Sequence, residues 1–328
     1  MDAEMMAVLE NFPVLQFEDP AAQRQWFAER VAEMPSVDLP DGIEFDEIVL
    51  QSARGEHGIP VRRYRSETAE TDGPIIVWIH GGGFCIGTAA EDEGLCVFLA
   101  RNLSAVVLSI EYRLAPEFPF PAGFDDCWDV LTAVLTRSAH VVPGDNLTGP
   151  VLIGGGSAGA CLASVLAIRA RDEGLPAIST QFLVSPFLDP AVNSEAAVRF
   201  GNAAVFDSAD AVHCWRHYLG ADRDNPPQYS TPLVTNDLAN VAPAYVVVAG
   251  NDCLRDDGIQ YARALMSSSV DTELHVVPGV PHGFTGVAPQ AVVSRRIRQE
   301  ILDVLTAHVA RVRSQRTPEP TNHVDEQR

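Results

Sequence analysis

The sequence predicts an α/β architecture: a mostly parallel eight-stranded sheet with helices on both faces and a helical cap. Three observations carry that expectation. Short apolar runs alternate with longer segments of helical period through most of the 328 residues. The later runs, such as Ile75-Ile76-Val77-Trp78-Ile79 and Tyr245-Val246-Val247-Val248-Ala249, are almost wholly apolar, as strands covered on both faces must be. Apolar residues make up 46% and charged residues 20%, which suits a folded globular chain and excludes a disordered or fibrous one. A chain of this length accommodates one large domain, or one such domain with an appendage.

Taken in order, residues 1–45 stand outside the alternation. They are helical in pattern, acidic, and dotted with Phe12, Phe17, Trp26 and Phe27, and are expected to form an N-terminal cap segment. The core is expected over 46–313. Its first two strands, 47–51 and 61–65, alternate polar with apolar and are separated by Gly55 and Gly58, the pattern of an antiparallel hairpin at a sheet edge. Further strands are expected at 75–79, 106–110, 151–153, 181–184, 245–249 and 273–277, and helices at 93–102, 124–137, 158–172, 259–267 and 293–313. A second break, at about 190–228 with Phe206, Trp215 and Tyr218, reads as a cap insertion, although periodicity alone does not separate a cap from a peripheral helix. From Ser314 the chain is polar and carries Pro318 and Pro320, so 314–328 is expected to be a disordered tail.

Charge excludes several partners. Forty-four acidic residues against 23 basic ones, all arginine, give a net charge of −21, which repels phosphate backbones and anionic lipid surfaces. Arg62, Arg63 and Arg65, or Arg295, Arg296 and Arg298, are groups too short and too interleaved to reverse that field. Neither nucleic acid nor stable membrane association is expected, and a homo-oligomer is left open. Met1-Asp2-Ala3-Glu4 lacks the basic start of a secretory signal and no run approaches the roughly 20 apolar residues of a membrane span, so a cytoplasmic protein is expected. Six scattered cysteines without Cys-x-x-Cys spacing read as free thiols, with no metal and no cofactor expected.

The chemistry concentrates at strand ends. Val151-Leu152-Ile153 runs into Gly154-Gly155-Gly156-Ser157-Ala158-Gly159, a G-x-S-x-G pattern in the strand–turn–helix setting that presents a serine on a sharp turn. A serine is a weak nucleophile until a base removes its proton, so it must be held where a base reaches it and where a helix N-terminus favours negative charge. Upstream, the strand ending at Ile79 continues as His80-Gly81-Gly82-Gly83-Phe84, whose glycines leave backbone N–H groups free to face an oxyanion. An acid and then a histidine should follow, each after a later strand. Asp252 and His282 stand in those places; Asp256 and Asp257 compete for the acid role but fall nearer the next helix, whose N-terminus they would complement. Asp125 and Asp126 read the same way for the helix after Pro121.

With these parts in order, the sequence resembles the hormone-sensitive-lipase-like (bacterial family IV) branch of the α/β-hydrolase superfamily, whose bacterial members are carboxylesterases. The resemblance spans roughly residues 45–310. It rests on His80 to Phe84, Tyr112-Arg113-Leu114-Ala115-Pro116-Glu117, Gly155 to Gly159, Asp252-Cys253-Leu254-Arg255-Asp256, and His282-Gly283-Phe284. It implies an α/β-hydrolase fold, Ser157 as nucleophile, His282 as general base and acid, and Asp252 as the group that holds the imidazole. It also implies an oxyanion hole from the N–H groups of Gly82, Gly83 and Ala158. Gly156 stands where the family more often has Asp or Thr, Ala160 where Gly is common, and Cys253 where Pro is common.

The expected function is hydrolysis of small to medium neutral carboxylic esters through an acyl-enzyme. The same machinery could serve a deacetylase, amidase or lactonase, and a damaged site on this fold could serve a small-molecule receptor. The Tyr112 to Glu117 block has no chemical role derivable from sequence and is expected to be a brace. Cys85 and Cys253 would make the site sensitive to oxidation if accessible, and inert if buried.

Overall fold

A computed structural model describes residues 1–13, 15–33, 39–55, 57–137 and 147–316. Eight strands form one sheet: β1 (Ile43–Gln51), β2 (Gly58–Ser66), β3 (Ile75–Ile79), β4 (Val106–Ile110), β5 (Val151–Gly156), β6 (Thr180–Val184), β7 (Ala244–Ala249) and β8 (Thr272–Val277). Their order is β1-β2-β4-β3-β5-β6-β7-β8. β2 pairs antiparallel with β1 and β4, and all other neighbours are parallel. The expected fold class, including the edge hairpin, is the one found.

The described residues also form α1 (Ala3–Leu9), α2 (Pro20–Glu33), α3 (Glu93–Leu103), α4 (Ala122–Leu135), α5 (Ala158–Asp172), α6 (Glu195–Arg199), α7 (Ser208–Leu219), α8 (Arg255–Ser267), α9 (Phe284–Val287) and α10 (Val292–Arg316). Strand side chains alternate between faces, so the sheet separates two cores. Val151 and Ile153 join Ile75, Val77 and Ile79 in a core with residues of α4, α5, α7 and α8. Leu152 joins Ile76, Trp78 and Phe182 in a second core with residues of α3, α9 and α10, to which α1 contributes the fully buried Met5.

Several boundaries differ from expectation by two to four residues, two of them for identifiable reasons. β1 begins at Ile43, four residues before the apolar signal, because its polar start is paired across the hairpin: Arg63 donates two bonds of 2.7 Å to Asp46. α10 continues to Arg316, three residues into the expected tail, and Ser314 Oγ there donates 2.8 Å to the Arg311 carbonyl. The rest of that tail, 317–328, lies outside the described residues.

The N-terminal segment and the stretch around α7 meet each other above the sheet. Phe17 packs edge-on against Phe206 at 5.0 Å, and His217 Nε2 donates 3.1 Å to the Phe17 carbonyl. No helix among the described residues is long and apolar enough to cross a membrane.

Charge sets a stability prediction. Arginine can match at most 23 of the 44 carboxylates, so repulsion among the remainder opposes compaction, while exposed ion pairs contribute only about 0–1 kcal/mol each. Raising ionic strength from about 0.01 M to 0.5 M shortens the screening length from roughly 30 Å to a few ångströms. The thermal midpoint is therefore expected to rise by several degrees, measured by calorimetry. A midpoint lowered by salt would mean that the ion pairs outweigh the repulsion.

Candidate active site

β5 ends and α5 begins at Ser157, whose backbone holds φ 52° and ψ −116°, a conformation costly for a residue with a Cβ. The surroundings over-determine it. Ser157 N–H donates 2.9 Å to the Val184 carbonyl at the end of β6, and the Ser157 carbonyl accepts from Phe187 N–H at 3.2 Å. α5 also lies close against the sheet: a Cβ on Gly159 would stand 2.0 Å from the Ile79 carbonyl oxygen, and one on Gly155 would stand 2.3 Å from the Gly159 backbone. The turn therefore cannot be built with larger residues at those two places.

The loops after β7 and β8 bring the other two groups to Ser157. Gly250 N–H donates 2.7 Å to the Val277 carbonyl and Asn251 N–H donates 3.0 Å to the Val280 carbonyl, so the two loops are stitched together directly before Asp252 and His282. His282 Nδ1–H donates to Asp252 Oδ2 at 2.7 Å, and Ser157 Oγ lies 2.9 Å from His282 Nε2. Leu254 N–H occupies the second Asp252 oxygen, Oδ1, at 2.9 Å. Asp252 is 1% exposed and His282 7%, so the pair lies out of bulk water, and the Phe206 ring covers the imidazole at 5.1 Å.

The His80–Phe84 loop lies beside the serine, with the position of a Gly81 Cβ 3.4 Å from Ser157 Cβ. Gly82 and Gly83 take φ 106° and 60°, and Phe84 takes φ 64°. A Cβ on Gly83 would stand 2.3 Å from Cys214 Sγ, so α7 closes directly on this loop. The loop is braced from the block after β4: Tyr112 stacks on His80 at 4.3 Å, its hydroxyl donates 3.1 Å to the His80 carbonyl, and Ala115 N–H donates 2.9 Å to the Phe84 carbonyl. Burial lowers the His80 pKa to about 4, so its ring is neutral at pH 7, with Nδ1–H donating 2.8 Å to the Gly81 carbonyl. Ala158 opens α5, and the first N–H groups of a helix have no acceptor within it. Ser157, His282 and Asp252 thus meet at one strand edge, beside the glycine loop and the start of α5.

Four acidic residues expected to complement their own helices also hold other segments, and three of them, Asp125, Asp256 and Asp257, do stand in the first turn of α4 or α8. Asp257 is buried and accepts from Leu188 N–H at 3.0 Å and Asp189 N–H at 2.9 Å, anchoring the chain where it leaves β6; burial pushes its carboxyl pKa well up. Asp256 accepts 2.8 Å from Ala196 N–H at the start of α6. Asp126 takes the Arg113 guanidinium and N–H, together with His57 Nε2 at 2.8 Å. Asp125 lies 3.5 Å from the Arg54 guanidinium and 3.9 Å from that of Arg169. Sequence reasoning gave the four only their own helices, because these further partners lie at least 13 positions away in other segments. It named Phe17 and Phe206 only as markers of two cap segments and gave Cys214 no part; Phe17 and Cys214 close on Gly83, and Phe206 on His282. Cys85 and Cys253 are fully buried, the condition under which they were expected to be inert.

Among the described residues, no group of three or more His, Cys, Asp or Glu side chains could hold a metal ion. A mostly parallel eight-stranded sheet with a serine on the β5–α5 turn, opposite a histidine and a carboxylate from the last two strand ends, defines the α/β-hydrolase class. The comparisons agree. The signature of the alpha/beta hydrolase fold family matches residues 76–286, and that of the carboxylesterase family matches 13–121. Esterase LipI of Mycobacterium tuberculosis is 32% identical over 261 residues, 79% of this chain and 81% of its own. An ethyl acetate hydrolase of Pseudomonas putida is 29% identical, covering 83% of this chain and 85% of its own. A solved bacterial heroin esterase superposes with a TM-score of 0.85 at 31% identity, over 94% of this chain and 98% of its own. The chain belongs to the α/β-hydrolase family, among its ester-hydrolysing enzymes.

Proposed function

We propose that this chain is a serine carboxylesterase that cleaves small to medium neutral esters through a covalent Ser157 acyl-enzyme. The observation that carries the reading is the unbroken line of hydrogen bonds from Ser157 Oγ to His282 to Asp252. His282 Nε2 removes the hydroxyl proton as Ser157 Oγ attacks the carbonyl carbon, and the Asp252 carboxylate stabilises the imidazolium that results. The N–H groups of Gly82, Gly83 and Ala158 receive the oxyanion, where a single donor contributes about 10² to 10³ in turnover. The tetrahedral intermediate collapses with the C–O bond to the alcohol breaking and the His282 proton passing to the departing oxygen. Water then enters, gives its proton to His282, attacks the acyl carbon and frees the carboxylate and Ser157.

The residues around α1, α2 and α7 act as a cap over this edge. The apolar side chains of Phe17, Phe206 and Cys214 favour a neutral acyl ester, and the surrounding acidity disfavours anionic substrates and helps expel the carboxylate product. Six free, buried cysteines suit a reducing compartment, and we place the enzyme in the cytoplasm.

A fluorophosphonate probe tests the reading, because it reacts only with a serine whose proton is being withdrawn. The expected result is one adduct on the peptide containing Ser157, blocked by prior incubation with an ester substrate. Absence of labelling on the folded protein would assign the fold to binding rather than turnover.

A further inference from the structure

Three consecutive glycines end β5, and packing explains only two. A Cβ on Gly154 would strike the Phe182 ring at 2.4 Å, and one on Gly155 would strike α5 at 2.3 Å. At Gly156 a Cβ would meet, apart from its chain neighbours, only Trp78 Cζ2 at 3.9 Å, which is ordinary contact. The backbone makes no demand either, since Gly156 is absent from the left-handed region that Gly82 and Gly83 occupy. A Cβ would fit here without a clash, so glycine leaves that place beside the nucleophile unfilled. Gly156, Ser157, Gly81 and Gly82 are each partly solvent-accessible, so that space is reached from outside.

The walls define what enters. Alternation along β5 turns Gly156 to the face of Leu152 and Trp78, away from the face on which Phe17, Cys214 and Trp215 pack. Trp78 is fixed: its Nε1–H donates 2.8 Å to Asp92 Oδ2 and its ring stacks on Phe182 at 5.3 Å. The same core holds Val280 and Phe284, which flank His282. Val280 and Phe284 stand two residues either side of His282, the group that would deliver the proton to the leaving oxygen, and this favours the alcohol as the substituent on this side. On the other side the cap is closed, with Cys214 against Gly83 and Phe206 against His282.

Resting on the esterase reading, we propose that Gly156 and Trp78 form an alcohol subsite that admits the bulk of a branched or aromatic apolar alcohol, making Gly156 a specificity-determining residue. One methylene too many in such a pocket changes selectivity by about 10- to 200-fold.

The test compares kcat/KM for ethyl, isobutyl and benzyl acetate, followed by acid release, in the wild type, Gly156→Ala and Gly156→Thr. The acyl series p-nitrophenyl acetate, butyrate and hexanoate is run on the same proteins. The benzyl-to-ethyl ratio is expected to fall about tenfold or more in Gly156→Thr and by an intermediate factor in Gly156→Ala, with the acyl series keeping its order and spacing. An unchanged benzyl-to-ethyl ratio overturns the proposal, as does a change confined to the acyl series. Because both readouts are ratios within one protein, a partial loss of folded Gly156→Thr does not alter them, and Gly156→Ala adds only one methyl. Failure of the parent reading is distinct: then the wild type hydrolyses none of these esters, or Ser157→Ala hydrolyses them as well as the wild type does.

Discussion

Ser157→Ala is expected to lower turnover of p-nitrophenyl acetate by a factor on the order of 10⁶, leaving only what the oxyanion donors and substrate binding supply. The size of the effect follows from the absence of a substitute: the bond broken in the first step is replaced by one to Oγ, and no other hydroxyl among the described residues is bonded to His282 Nε2. Folding should survive. The φ of 52° costs alanine about what it costs serine, and the bonds holding the turn, Ser157 N–H to Val184 and Phe187 N–H to the Ser157 carbonyl, belong to the backbone. Circular dichroism and a thermal midpoint close to wild type would establish that the loss is chemical. Turnover within tenfold of wild type in a Ser157→Ala protein free of wild-type contaminant would remove the nucleophile from the mechanism.

The parts of this molecule legible in its sequence are those whose physics is local. An all-apolar run such as Ile75 to Ile79 has no place but a strand covered on both faces, and all five residues are buried. Three groups of the candidate site, Ser157, Asp252 and His282, could be chosen because each stands in the loop or turn just beyond a strand, the first two beyond wholly apolar ones, and in the chain order serine, acid, histidine. What local pattern does not carry is the partner of a long-range polar contact. Asp257 sits at the start of α8 and its sequence setting is that of a helix N-terminal charge, yet its acceptors serve N–H groups 69 and 68 positions away. Tyr112 likewise follows β4 with no chemical signature, and its function as a prop under the His80 carbonyl exists only once β3 and β4 lie side by side. The contact of Phe17 with Phe206 spans almost two hundred residues, and helical periodicity within either segment says nothing about the other.

Asp252→Asn should cost about 10⁴ in kcat with little change in KM, and the reason lies in one further hydrogen bond. Leu254 N–H donates to Oδ1 of Asp252 and requires an acceptor there. In the asparagine variant the amide oxygen must therefore remain with Leu254, which turns the amide NH₂ toward His282 Nδ1. That nitrogen now accepts instead of donating, so the ring's single proton moves to Nε2, the atom that has to receive the Ser157 proton. The geometry is kept and the tautomer is wrong. Fluorophosphonate labelling should slow in parallel with turnover, since both depend on the same proton withdrawal, whereas a merely structural role would lower stability and leave the rate per folded molecule unchanged. If kcat stays within tenfold of wild type, another carboxylate orients His282. Asp256 is poorly placed to take over, because Ala196 N–H already holds its Oδ2 and the Arg255 guanidinium its Oδ1.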